Sequence, residues 1–136
     1  MYENEYKRKL TKPAIAADFL KNGDTIIHGM AAGEPPALLE ALADKIERDD
    51  LRDIKVLSLL PMKHAKNTLL KPELSTQVYA YTYFVSSADR DLTGVGIDQF
   101  IPNHFHEVPR LINDYMSCDI VVTTVSPPDR HGFFTF

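Results

Sequence analysis

Asp24-Thr25-Ile26-Ile27-His28-Gly29-Met30-Ala31-Ala32-Gly33-Glu34-Pro35-Pro36-Ala37-Leu38-Leu39 is the stretch whose pattern decides the fold. A short apolar segment from Thr25 to Ile27 ends at His28, passes through glycine and small residues, and enters a helix opened by two prolines. Strand, turn and helix in that order form the unit of an open α/β sheet, whose ligands bind outside the carboxyl ends of the strands. The loop is therefore the first place to look for chemistry.

Outward from the loop, Pro35 to Arg48 sets Leu38, Leu39, Leu42 and Ile46 at helical spacing, with Glu40, Asp44 and Glu47 left for the wet side. Upstream, residues 1 to 9 suit a polar exposed helix. Thr11 is a suitable N-cap for a second helix carrying Ala14, Ile15, Ala17, Phe19 and Leu20, stopped at Asn22-Gly23. Downstream, Ile54 to Leu60 and Asp119 to Val125 read as strands buried on both faces. Gln77 to Val85, rich in tyrosine, valine and threonine, reads as a half-exposed strand placed at an edge. Gln99 to Ile101 is a very short strand, a helix follows from His106 to Tyr115 with Asn103 as its cap, and Phe133 to Phe136 starts a last strand. Alternating strands and helices predict an α/β fold, a mostly parallel sheet with helices on its faces and right-handed crossovers.

The 136 residues are 44% hydrophobic and 25% charged, values of an ordinary globular domain. A formal charge of −4 does not supply the basic face that a nucleic-acid binder needs, so no nucleic acid is expected. The charged first ten residues have no apolar core, and no apolar run reaches membrane-spanning length, so neither a signal peptide nor a membrane partner is expected. A single cysteine, Cys118, permits no internal disulfide and points to a reducing, cytoplasmic setting, with its thiol packed in or near the core. An apolar, β-prone end at Phe136 is an odd stop for a complete domain, and a fragment of a longer protein is expected.

Gly29-Met30-Ala31-Ala32-Gly33 lets a ligand approach the backbone and meet amide N–H groups. It lacks the third glycine of a dinucleotide fingerprint and the Gly-Lys-Ser/Thr of a phosphate loop. Pro35 and Pro36 remove two donors at the helix start, and Glu34 puts a carboxylate where a phosphate would sit. A neutral carbonyl whose charge develops only during reaction, such as a thioester, fits better, with the amides forming an oxyanion-type site. The same glycines also suit a plain strand-to-helix turn, His28 a structural histidine, and Glu34 a carboxylate at a helix N-terminus; residue types alone leave these readings open. His104 and His106 beside Glu107 lack the further ligands that a metal site requires, so no metal is expected.

Three segments, in order, resemble the amino-terminal half of the acetyl-CoA hydrolase/transferase family. They are His28-Gly29-x-x-x-Gly33-Glu34-Pro35 with Leu38 and Leu39; Phe100-Ile101-Pro102-Asn103-His104 leading to Glu107-x-Pro109; and Asp119-x-Val121 through Val125-Ser126-Pro127-Pro128-Asp129-x-x-Gly132-Phe133. The first is most similar to the 4-hydroxybutyrate and butyrate CoA-transferase branch. The resemblance implies a CoA-transferase-like half-domain over residues 1–136 and a site shared with a carboxyl-terminal half; apolar surface that this half would otherwise cover should make the chain pair with itself, and a homo-oligomer is expected. It implies acyl-CoA and a small carboxylic acid as substrates, no permanently bound cofactor, and a nucleophilic glutamate outside this chain. Substrate-binding roles then fall on His28, Gly29, Met30, Ala31, Ala32, Gly33 and Glu34, with Asn103 and His104. A stand-alone acyl-CoA or small-ligand binding module is the competing expectation, and a sugar-phosphate enzyme of related topology a third.

Overall fold

The computed structural model describes residues 2–136. Five strands, β1 (Thr25–His28), β2 (Ile54–Ser58), β3 (Val78–Thr82), β4 (Asp98–Phe100) and β5 (Ile120–Val122), form one sheet in the order β4-β3-β2-β1-β5. Every pairing is parallel, with Ile26 opposite Val56 on one side and opposite Ile120 on the other. From β1 the chain winds outward through β2, β3 and β4, then returns to place β5 on the opposite flank of β1. The direction of winding thus reverses between β1 and β5, which opens a crevice at their carboxyl ends.

Helices α2 (Pro13–Ala17), α3 (Pro36–Arg48), α4 (Lys63–Lys66) and α5 (Arg90–Gly94) share one core with Ile26, Ile54, Val56, Val78, Ala80 and Val122. The amphipathic pattern of α3 holds in detail: Leu39, Leu42, Ala43 and Ile46 are buried, whereas Glu40, Asp44 and Glu47 are exposed. Among the described residues only α6 (Val108–Tyr115) covers the opposite face, where Val108, Leu111 and Ile112 pack on Ile27, Leu57 and Tyr81. The rest of that face is open, with Tyr79 46% and Val121 68% exposed. Helix α1 (Tyr2–Lys9) buries none of its residues.

Several expectations need correction. The tyrosine-rich strand β3 is not an edge strand; β4 is, and the exposure of β3 comes from the uncovered face. Strand β5 is short and lies at an edge with one side open, so its apolar run reflects a free face and not burial on both sides. Strand β2 stops at Ser58 because Leu60 adopts a left-handed backbone with φ of 55°. The N-cap of α2 is Lys12, not Thr11; the helix ends at Ala17, and Ile15 and Phe19 face solvent. Asn103 does not cap a helix. A 3₁₀ turn over Phe105–Glu107 precedes α6, and Glu107 accepts the His104 amide at 3.3 Å. Phe133 to Phe136 forms no strand: Asp129 gathers the turn through the amides of His131 (2.8 Å) and Phe133 (2.9 Å). Cys118 is exposed, because it precedes the strand in the connection from α6 and stays outside the core.

Candidate active site

Three loops meet at the carboxyl ends of β1, β2 and β5. The loop after β1 forms a 3₁₀ turn over Ala31–Gly33, clamped from the side by the chain leaving β5. There the Thr124 amide donates to the Gly33 carbonyl at 2.9 Å, the Thr124 hydroxyl to the Glu34 carbonyl at 3.0 Å, and the Thr123 hydroxyl to the Gly33 carbonyl at 3.3 Å. This closeness explains the glycine at position 29. A Cβ there would strike the Gly33 carbonyl oxygen and lie 2.5 Å from Thr123 Oγ1. Gly33 has more room, its nearest neighbour standing 3.3 Å away.

The backbone of this loop is held in an uncommon shape. Ala31 is left-handed with φ of 49°, and its N–H donates at 3.3 Å to the carbonyl of Leu60, itself left-handed with φ of 55°. Left-handed backbone at a residue with a Cβ costs on the order of 1–2 kcal/mol and persists only where the surroundings impose it. The Gly33 N–H is taken up by the Met30 carbonyl at 2.9 Å. Of the four amides from Met30 to Gly33, those of Met30 and Ala32 have no acceptor among the described residues, and both residues are exposed.

His28 ends β1 and is 4% exposed. Its Nδ1 lies 3.0 Å from the Gly29 carbonyl oxygen, which can only accept, so Nδ1 carries the proton and Nε2 presents a lone pair. Burial pulls the imidazole below its ordinary pKa, opposed by the Gly29 hydrogen bond and by the negative charge of Glu34. The ring is thus neutral at neutral pH, and Nε2 is buried without a partner. The Tyr83 hydroxyl is likewise buried and unpaired.

Both side chains line a cavity of about 180 Å³ between the strand ends and α6, walled by Ile27, Met30, Leu57, Leu59, Val108 and Ile112 with Ser58 at its edge. A larger hollow of about 790 Å³ lies between α1 and the 128–134 turn. It shares no residue with the strand-end cavity and contains none of the unpaired buried groups. The strand-end cavity, at the carboxyl ends of β1 and β2 and lined by both unpaired buried groups, is the better candidate.

His28 and the Gly29–Glu34 loop therefore come together, whereas Asn103 and His104 stand apart. Asn103 spends its amide nitrogen on the carbonyls of Tyr83 (2.9 Å) and Ile101 (2.7 Å), tying the exits of β3 and β4. His104 is exposed and stacks on His106 with ring centroids 5.8 Å apart. Glu34 is 3% exposed, its carboxylate accepting the amides of Met62 and Ala65 at the start of α4. That is the helix-N-terminus role its residue type allows, served at α4 and not at α3. Among the described residues, no group of three His, Cys, Asp or Glu is placed to hold a metal ion. Tyr83, Ser58, Thr123 and Thr124 went unread in the sequence. Their signal was available: a polar residue at the carboxyl end of an apolar strand.

The family described as "Acetyl-CoA hydrolase/transferase N-terminal domain" matches residues 1–136. The chain belongs to this family. It is 34% identical over 134 residues to the succinyl-CoA:cyclohexane-1-carboxylate CoA transferase of Geobacter metallireducens, covering 98% of this chain and 30% of that protein. It is 26% identical to the 4-hydroxybutyrate coenzyme A transferase of Clostridium kluyveri, covering 99% of this chain and 31% of the relative. The crystal structure of RipA from Yersinia pestis superposes with a TM-score of 0.90 at 36% identity, over 98% of this chain and 32% of that one. The chain thus spans about a third or less of these relatives, and its parallel α/β sheet is that of a CoA-transferase amino-terminal domain.

Proposed function

We propose that residues 1–136 form the amino-terminal wall of the active site of a CoA-transferase that moves CoA between an acyl-CoA and a carboxylic acid. The acyl group is of the 4-hydroxybutyryl, butyryl or acetyl type. A glutamate carboxylate contributed by a carboxyl-terminal half attacks the thioester carbonyl, forming an acyl-glutamyl anhydride and releasing the CoA thiolate. The thiolate then attacks the glutamyl carbonyl, giving a glutamyl-CoA thioester and freeing the first acid. Reversal with a second carboxylate regenerates the enzyme carboxylate and completes the exchange. Each attack places charge on a carbonyl oxygen, which oriented amides stabilise.

The observation that carries this reading is the strained loop at the β1/β5 crevice, with the Met30 and Ala32 N–H groups free of internal acceptors. His28, with a neutral ring and an acceptor at Nε2, is a binding element beside them. Asn103 supports the site from outside it, through its hydrogen bond to the Tyr83 carbonyl. Coenzyme A enters as substrate, and no permanently bound cofactor takes part. The open sheet face is where the carboxyl-terminal half packs, and without that half it makes this chain pair with itself; the protein is a cytoplasmic homo-oligomer.

Butyryl-CoA:acetate exchange tests this. Residues 1–136 alone give no turnover above background, and the intact protein exchanges CoA. Robust turnover by residues 1–136 alone contradicts the proposal. So does acyl-CoA binding without turnover by the intact protein, which supports a non-catalytic binding module.

A further inference from the structure

Glu34 is a buried charged residue that the proposed reaction does not use. Its Oε1 accepts the Met62 amide at 2.6 Å and its Oε2 the Ala65 amide at 3.2 Å. Its own amide donates to the Ala31 carbonyl at 3.2 Å, and its carbonyl accepts the Thr124 hydroxyl at 3.0 Å. One residue thus joins the loops that follow β1, β2 and β5. Both carboxylate partners are N–H groups, which can only donate, so the contact requires acceptors at both oxygens, as an ionised carboxylate provides.

We infer that Glu34 is the positioning residue of this site, locking the loop after β1 against the loop after β2 so that the Met30 and Ala32 amides stay free for substrate. This rests on the reading of that loop as a carbonyl-binding wall. The lock acts on the strained contact described above. Ala31 and Leu60 are both left-handed, and the Ala31 N–H meets the Leu60 carbonyl at 3.3 Å. The carboxylate grips Met62, two residues beyond Leu60, with charge-assisted hydrogen bonds that offset the backbone strain. Without that grip, Leu60 relaxes, Ala31 loses its acceptor, and the loop amides lose their fixed direction. The same engagement keeps Glu34 from serving as nucleophile. It is 3% exposed, and attack on a thioester would require it to abandon both amides.

The variants are Glu34→Gln, which keeps the shape but turns a donor toward one of the two amides, and Glu34→Asp, which keeps the charge on a shorter stem. Amide hydrogen exchange and steady-state kinetics are both measured on the intact protein. In Glu34→Gln, protection at Ala31, Met62 and Ala65 falls together, and kcat drops about 10- to 100-fold while KM for acyl-CoA stays within about threefold. The limbs of the pH–rate profile do not move, and Glu34→Asp restores part of both losses. Unchanged protection at Ala31 overturns the inference, as does wild-type kcat in Glu34→Gln. Loss of a pH–rate limb overturns it as well, because Glu34 would then be exchanging protons. If Glu34→Gln does not fold, Glu34→Asp carries the test, with the same three amides losing protection by a smaller factor. The exchange measurements need no turnover, so an inactive intact protein would defeat the proposed function without deciding the role of Glu34.

Discussion

Gly29 and Gly33 share a motif but not a function, and the difference lies in what surrounds each Cα. A methyl group at Gly29 collides with the Gly33 carbonyl and with Thr123 Oγ1, whereas at Gly33 it meets only that hydroxyl at 3.3 Å. Gly29→Ala should cost about 1–3 kcal/mol, the scale of overpacking a tight contact, and Gly33→Ala about 0.5 kcal/mol. Urea denaturation of the two variants checks the contrast; equal midpoints would show that the loop is looser than these contacts require. The sequence reveals that small residues are needed here, but not which glycine is indispensable, because Thr123 arrives from 90 residues further along the chain. The Glu34 carboxylate is opaque in the same way. Its partners Met62 and Ala65 act through backbone amides, which carry no residue signature.

Among the elements, the corner between α5 and β4 holds a second buried acidic feature. Asp89 and Asp98 are 0% and 1% exposed. Asp89 Oδ1 accepts the Ser86 amide at 2.6 Å, while Asp89 Oδ2 and both oxygens of Asp98 find no donor. A proton on Asp98, donated to Asp89, supplies the missing one. Burial first, then the hydrogen bond to Asp89 and its negative charge, push Asp98 from 3.8 up to about 7. The folded chain therefore keeps a proton that the unfolded chain gives up near 3.8. This pair's contribution is fully present below about 4 and is lost as pH rises through about 7. Nearby, Lys66 and Asp91 form an exposed pair at 2.7 Å, too solvated to supply the buried oxygens with a donor. Asp98→Asn keeps a donor and cannot ionise, so it should match the wild type at about pH 3.5 and exceed it by about 1–2 kcal/mol at about pH 8.5, the scale of a buried hydrogen bond to a charged group. Chemical denaturation at the two pH values measures this, and parallel profiles for the two proteins would refute the shared proton. At this scale, strong periodicity was legible: α3 and the cores of β1 and β2 lie where their patterns put them. Short elements were not. The three-residue strands β4 and β5 have too few positions to separate an edge from a buried centre.

For the molecule as a whole, an all-parallel sheet was legible because strand and helix patterns alternate, and parallel neighbours require such crossovers. Strand order was not, since it depends on β5 returning beside β1, and that return creates the crevice where the loop sits. Among the described residues one sheet face carries four helices and the other only α6, leaving Tyr79 and Val121 open. That asymmetry accords with a wall that further structure completes. In the proposed reaction the reactive carboxylate comes from outside residues 1–136 while this chain orients the carbonyl. Intact protein incubated with butyryl-CoA, then digested and analysed by mass spectrometry for glutamyl-CoA thioester, tests it most directly. The adduct is expected on a glutamate beyond Phe136 and on no peptide from residues 1–136; an adduct on Glu34 would refute the proposed division of labour.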